Sequence, residues 1–119
     1  MDTKEYIQHI WEKARPVEGL DSKMFRKDAC GALIMFDKYG KQNPFGWEID
    51  HIFPQALGGG DDLLNLRPLH YLNNRSKSID YPSYIACVKF NGETNITEER
   101  SLSVNKNIRA KLKKLYTNA

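Results

Sequence analysis

The first apolar cluster of the chain is Tyr6, Ile7, Ile10 and Trp11, a spacing that one face of a helix brings together. It predicts a helix from Asp2 to about Lys13, capped by Asp2 or Thr3 and ended by Pro16 and Gly19. A polar connector follows as far as Lys27, with a short turn at Ser22 to Arg26. Ala29 to Phe36 (ACGALIMF) is a compact apolar run and predicts a buried strand, in which Gly31 marks a bulge or a close backbone approach. Lys38 to Gly46 is turn-rich and predicts a loop. Trp47 to Phe53 (WEIDHIF) alternates, is rich in strand formers and stops at Pro54, so it predicts a second strand. Gln55 to Asn65 is a loop with glycine at 58, 59 and 60. Leu66 to Leu69 predicts a short strand, whose Pro68 requires an edge or a bulge. Tyr71 to about Lys77 predicts a helix. Beyond Pro82, the segments Tyr84 to Phe90 and Glu93 to Thr97 flank Asn91-Gly92, the signature of a hairpin with a two-residue turn. Val104 to Tyr116 predicts a last helix, with Val104, Ile108, Leu112 and Leu115 as its apolar stripe.

These elements predict one α+β domain over residues 1–119, with no internal repeat. The length of 119 residues suits a single domain able to bury a core without staples. Two cysteines, Cys30 and Cys87, exclude both a disulfide scaffold and a four-cysteine zinc site, and read as core thiols. No apolar run reaches the roughly 20 residues of a membrane span. The charged N-terminus has no signal-peptide core, so the expected compartment is the cytoplasm, without a membrane partner. The net charge of +3 names no partner by itself. Its distribution is more telling: Lys106, Arg109, Lys111, Lys113 and Lys114 follow Ser101 with no acid among them. Such a face suits an anionic partner such as nucleic acid, or simply a solvated helix surface.

The chemistry concentrates in Trp47 to Lys77, WEIDHIFPQALGGGDDLLNLRPLHYLNNRSK. Asp50 and His51 end a predicted strand. Asn65 follows His51 by fourteen residues, Asn74 follows Asn65 by nine, and Lys77 lies one helical turn beyond Asn74. Histidine titrates nearest neutral pH and suits a general base. A carboxylate and an amide oxygen are hard donors that suit Mg²⁺, which keeps several of its waters.

This segment resembles the HNH endonuclease motif, the strand–loop–strand–helix ββα-metal finger, in a His-Asn-Asn form. The same form, with a following Asn-Arg-x-Lys-Ser phrase, occurs in the HNH lobe of RNA-guided CRISPR effector nucleases. The likeness to small bacterial and phage HNH proteins extends through RKDACGALI and GWEIDHI and covers roughly residues 11–82. The core motif is 47–77, and the C-terminal hairpin and basic helix (84–116) lie outside it.

The resemblance implies a metal-dependent endonuclease that hydrolyses DNA phosphodiester bonds, leaving 5′-phosphate and 3′-hydroxyl ends. His51 would deprotonate the attacking water. Asp50 and Asn74 would hold Mg²⁺, with Mn²⁺ as a substitute, and Asn65 would fix the loop and so orient His51. Arg67, Arg75 and Lys77 are candidate phosphate contacts, or ordinary surface charge. Asn73 is the alternative to Asn74 as ligand. Asp61 and Asp62 read as turn and capping residues. Adjacent strand residues face opposite ways, so a twist or bulge is expected at Asp50 and His51 to bring both into one site. His70 stands where zinc-stabilised relatives carry a cysteine. Position 73 is Asn, so no structural zinc is expected and His70 reads as a packed residue. Arg26 and Asp28 read as a buried ion pair or structural hydrogen bond. One site cuts one strand, so double-strand cleavage would need a homodimer or two binding events, and sequence specificity a protein partner. The alternatives are a non-catalytic nucleic-acid-binding module and a toxin nuclease domain.

Overall fold

The N-terminal apolar face forms α1 (Thr3–Trp11) in the computed structural model, which describes residues 3–119. Asp2, one of the two predicted caps, lies outside them. After α1 come β1 (Arg15–Pro16), β2 (Phe25–Lys27) and β3 (Leu33–Met35), an antiparallel three-stranded sheet in that order. The predicted connector thus contains a strand, and the predicted strand over 29–36 is shorter than its apolar run. The reason is Asp28. Its buried carboxylate accepts the backbone N–H groups of Cys30 and Ala32 at 2.9 and 2.8 Å, and Gly31 takes φ +89, so the chain turns before Leu33. Arg26 is not its partner; its guanidinium donates to the carbonyls of Ser22, Glu12 and Ala14.

Next come β4 (Trp47–His51) and β5 (Leu66–His70), an antiparallel pair, followed at once by α2 (Tyr71–Lys77). Pro68 costs this pair little, because in a two-stranded sheet each strand keeps a free edge. Two short 3₁₀ turns, Gln55–Leu57 and Leu63–Asn65, lie in the connecting loop. His70 caps α2: its Nδ1 accepts from the Leu72 N–H at 3.2 Å, and its Nε2 lies 2.9 Å from the Pro44 carbonyl.

The C-terminal hairpin pairs β6 (Ser83–Phe90) with β7 (Asn95–Ser103). Phe90 pairs with Asn95, so the turn holds four residues rather than the predicted two, and β7 runs six residues beyond Thr97. Asn91 builds the turn by accepting the N–H groups of Glu93 and Thr94, both at 2.9 Å. A register shift between Ala86 and Val88 frees two N–H groups, and the buried Asn73 Oδ1 accepts both, at 2.8 Å each. The basic helix is α3 (Lys106–Leu115), capped by the Asn105 side chain.

The β4–β5 pair divides two cores. On one side Trp47 and Leu66 pack with Ile10, Trp11, Ala14 and Ile34. On the other, Leu69, Ile52 and Phe53 pack with Tyr84, Ala86, Val104 and Leu112. The molecule is an α+β fold with three helices and small antiparallel sheets among the described residues, and none of those helices is long and apolar enough to cross a membrane.

Candidate active site

Asn65 organises the loop between β4 and β5. Fully buried, it accepts the Phe53 N–H through Oδ1 at 2.8 Å. Its Nδ2 donates to the Phe53 carbonyl at 3.0 Å and the Gly60 carbonyl at 2.9 Å. Gly59 lies against the same carbonyl: a Cβ there would fall 1.8 Å from the Phe53 oxygen, so only glycine fits. This tie returns the glycine segment to the end of β4 and sets Asp61 beside His51.

His51 Nε2 lies 2.7 Å from Asp61 Oδ1. An ionised carboxylate only accepts, so Nε2 is the donor, and Nδ1 is the nitrogen that carries the lone pair in the neutral ring. The histidine side chain is 24% exposed, open enough for water to reach. Tyr6 steadies the loop from α1 by donating to the Asp61 carbonyl at 3.5 Å, and the Tyr116 hydroxyl donates to Asp62 at 2.7 Å. From the sequence Asp61 reads only as a turn and capping residue. Its ten-residue separation from His51 hides the contact, and the glycines between them are the signal that the chain doubles back.

Asp50 departs from expectation. The β4–β5 register runs unbroken through Asp50↔Arg67 and His51↔Leu66, without the expected bulge. Directly paired residues share a face and neighbours alternate, so Asp50 and His51 point to opposite sides of β4. Asp50 is buried between two cations: Arg67 Nε is 2.8 Å from Oδ2 and Lys77 Nζ is 3.2 Å from Oδ1. Lys77, fully buried, also donates to the carbonyls of His51 and Ile52, at 3.3 and 3.0 Å. Arg67 Nε and Lys77 Nζ are therefore interior partners of Asp50, and neither atom is a surface contact for phosphate beside His51. Burial works against the Arg67 charge, and the Asp50 carboxylate outweighs it and holds the guanidinium above its ordinary pKa. At Lys77 burial prevails and lowers the pKa, with Asp50 opposing.

Asn73 and Asn74 have different surroundings. Asn73 is fully buried, held by β6 and by Asp28. Asn74 is half-buried and donates to Glu48 Oε1 at 3.2 Å, while the more exposed Arg75 reaches Glu48 Oε2 at 3.4 Å. Glu48, absent from the sequence-based set, shares the Asp50 face of β4 because the two lie two residues apart. A divalent cation on Asp50 would have to displace two buried cations, so Asp50 as folded does not fit the ligand role. Among the described residues no three His, Cys, Asp or Glu side chains gather as a metal-holding group. Comparison with family models, curated proteins and solved structures finds no match.

Proposed function

We propose that this chain is an endonuclease that hydrolyses phosphodiester bonds in DNA, with His51 as the general base. The observation that carries this reading is the His51–Asp61 pair, 2.7 Å apart at the open end of β4. Nδ1 of His51 takes a proton from water as the water attacks phosphorus. The Asp61 carboxylate holds the ring in the tautomer this requires and stabilises the imidazolium that forms. The bond from phosphorus to the 3′ oxygen breaks, and the leaving oxygen takes a proton from solvent water, giving a 5′-phosphate and a 3′-hydroxyl. Asn65 acts through the loop as a positioning residue. Of the predicted three, Arg75, exposed at the surface, is the phosphate contact for the hydrolytic site. The ββα-metal finger is likewise a proposal, supported by the β4–β5–α2 order and the His51, Asn65 and Asn74 spacing. The resemblance supplies Mg²⁺, or Mn²⁺, as the cation to be tested. Asp50 as folded does not support it, so no step is assigned to a metal.

The test is cleavage of supercoiled plasmid with Mg²⁺ or Mn²⁺ added. His51→Ala is expected to remove the roughly 10²–10⁴-fold contribution of a general base. Asp61→Asn, which keeps a hydrogen-bond acceptor, is expected to lose less. Cleavage unaffected by either substitution contradicts the assignment. The locked Asp50 carboxylate favours one other reading, a non-catalytic nucleic-acid-binding module, which predicts salt-dependent DNA binding without cleavage under any cation.

A further inference from the structure

A cleft of about 660 Å³ opens where the end of α1 meets β1, β2, β5 and α3. Lys13, Arg15, Lys27, Arg67 and Lys111 line it, against one acid, Asp28. Both oxygens of Asp28 are already committed, to the N–H groups of Cys30, Ala32 and His70 and to the Asn73 amide. His51 is not part of the lining.

The base of the cleft carries an unmet demand. The Arg67 side chain is 9% exposed, and its Nε is spent on Asp50. Its Nη2 is buried with no hydrogen-bond partner. Buried donors in folded proteins are nearly always satisfied, and one left over points to a group that completes it. The guanidinium also lies over the Tyr84 ring, 5.4 Å from its centre, so it is held rather than free to swing out. Arg15 and Lys111 are exposed at the mouth of the cleft.

We infer that this cleft binds a phosphate group, with Arg67 Nη2 as its buried donor and Arg15 and Lys111 as the cations around it. A buried guanidinium N–H with exposed basic side chains around it matches the charge and the several acceptor oxygens of phosphate. The volume exceeds a bare phosphate and suits a phosphate carried on a sugar and base. That phosphate comes either from a nucleic-acid strand or from a free phosphate ester. The site accounts for one part of α3 that the motif leaves without a role: Lys111 lies on the cleft.

The inference does not depend on hydrolysis, and its test is kept apart from it by using the His51→Ala variant of the whole 119-residue chain. Three probes are titrated: inorganic phosphate, adenosine 5′-monophosphate and a duplex DNA oligonucleotide. The double variant Arg15→Gln/Lys111→Gln removes exposed cleft cations without disturbing Arg67. Lys23→Gln/Lys41→Gln is a charge-matched control outside the cleft. For duplex DNA, losing two phosphate contacts is expected to reduce the slope of log affinity against log salt by about 1.8, with the control unchanged. Loss confined to the mononucleotide and inorganic phosphate also supports the site and assigns it to a free ester. Equal binding of all three probes by the cleft variant and the control overturns it.

Discussion

Asp50 shows how one residue's partners redirect its role. Its carboxylate sits between the buried cations of Arg67 and Lys77, so its first effect is on stability. Asp50→Ala strands two interior positive charges and is expected to cost about 3–5 kcal/mol. Denaturant unfolding in chelator measures this; an unchanged midpoint would return Asp50 to a ligand role. His70 gives a pH signature. Burial pushes its imidazole below its ordinary pKa, with the Pro44 carbonyl and Asp28 opposing. The unfolded chain then binds the proton more readily than the folded one. Stability from neutral His70 is fully present above about pH 6.5 and is lost as pH falls through the lower folded value. His70→Gln is expected to flatten that acid-side loss, read as the denaturation midpoint between pH 7.5 and about 5. The sequence made His51, Asn65 and Asn74 visible because their spacing is unusual. It did not make visible that Asp50 faces inward, since a buried acid and a ligand look alike until the residues opposite them are known. Nor did it show that Asp61 meets His51, a contact made by a loop rather than by a period.

Among the elements, β4, β5 and α2 lie close to where the alternation, Pro54 and the post-strand polar run predict them. Strong side-chain periodicity and hard stops leave few other solutions. Weaker elements escaped. β2 has only three residues, all half-buried, and carries no period. β3 is shorter than its apolar run because Asp28 takes the N–H groups that would have extended it. The hairpin turn is four residues because Asn91 folds it through its own side chain. The loop between β4 and β5 depends on a close backbone approach at Gly59. Gly59→Ala must move the Phe53 carbonyl and is expected to destabilise by about 1–3 kcal/mol. Gly60→Ala meets nothing nearer than the Tyr116 hydroxyl at 3.4 Å and is expected to cost less. Thermal denaturation of the two variants makes the comparison; equal losses would mean that the loop is not pinned where described.

Across the whole molecule, two cores meet at the β4–β5 pair, which carries His51, while α2 carries Asn74 and the glycine loop carries Asp61. Positive charge gathers on α3 and around the Arg67 cleft, and His51 is not part of the lining of that cleft. The measurement that decides the account is conversion of supercoiled plasmid to open-circle and linear forms in Mg²⁺. Wild type, His51→Ala and a chelator control are run side by side, with circular dichroism showing that the variant is folded. Cleavage by wild type, lost in His51→Ala, is the predicted result, and the chelator control tests the cation that the resemblance supplies. No cleavage by folded wild type with Mg²⁺ or Mn²⁺, or cleavage that survives His51→Ala, would contradict it.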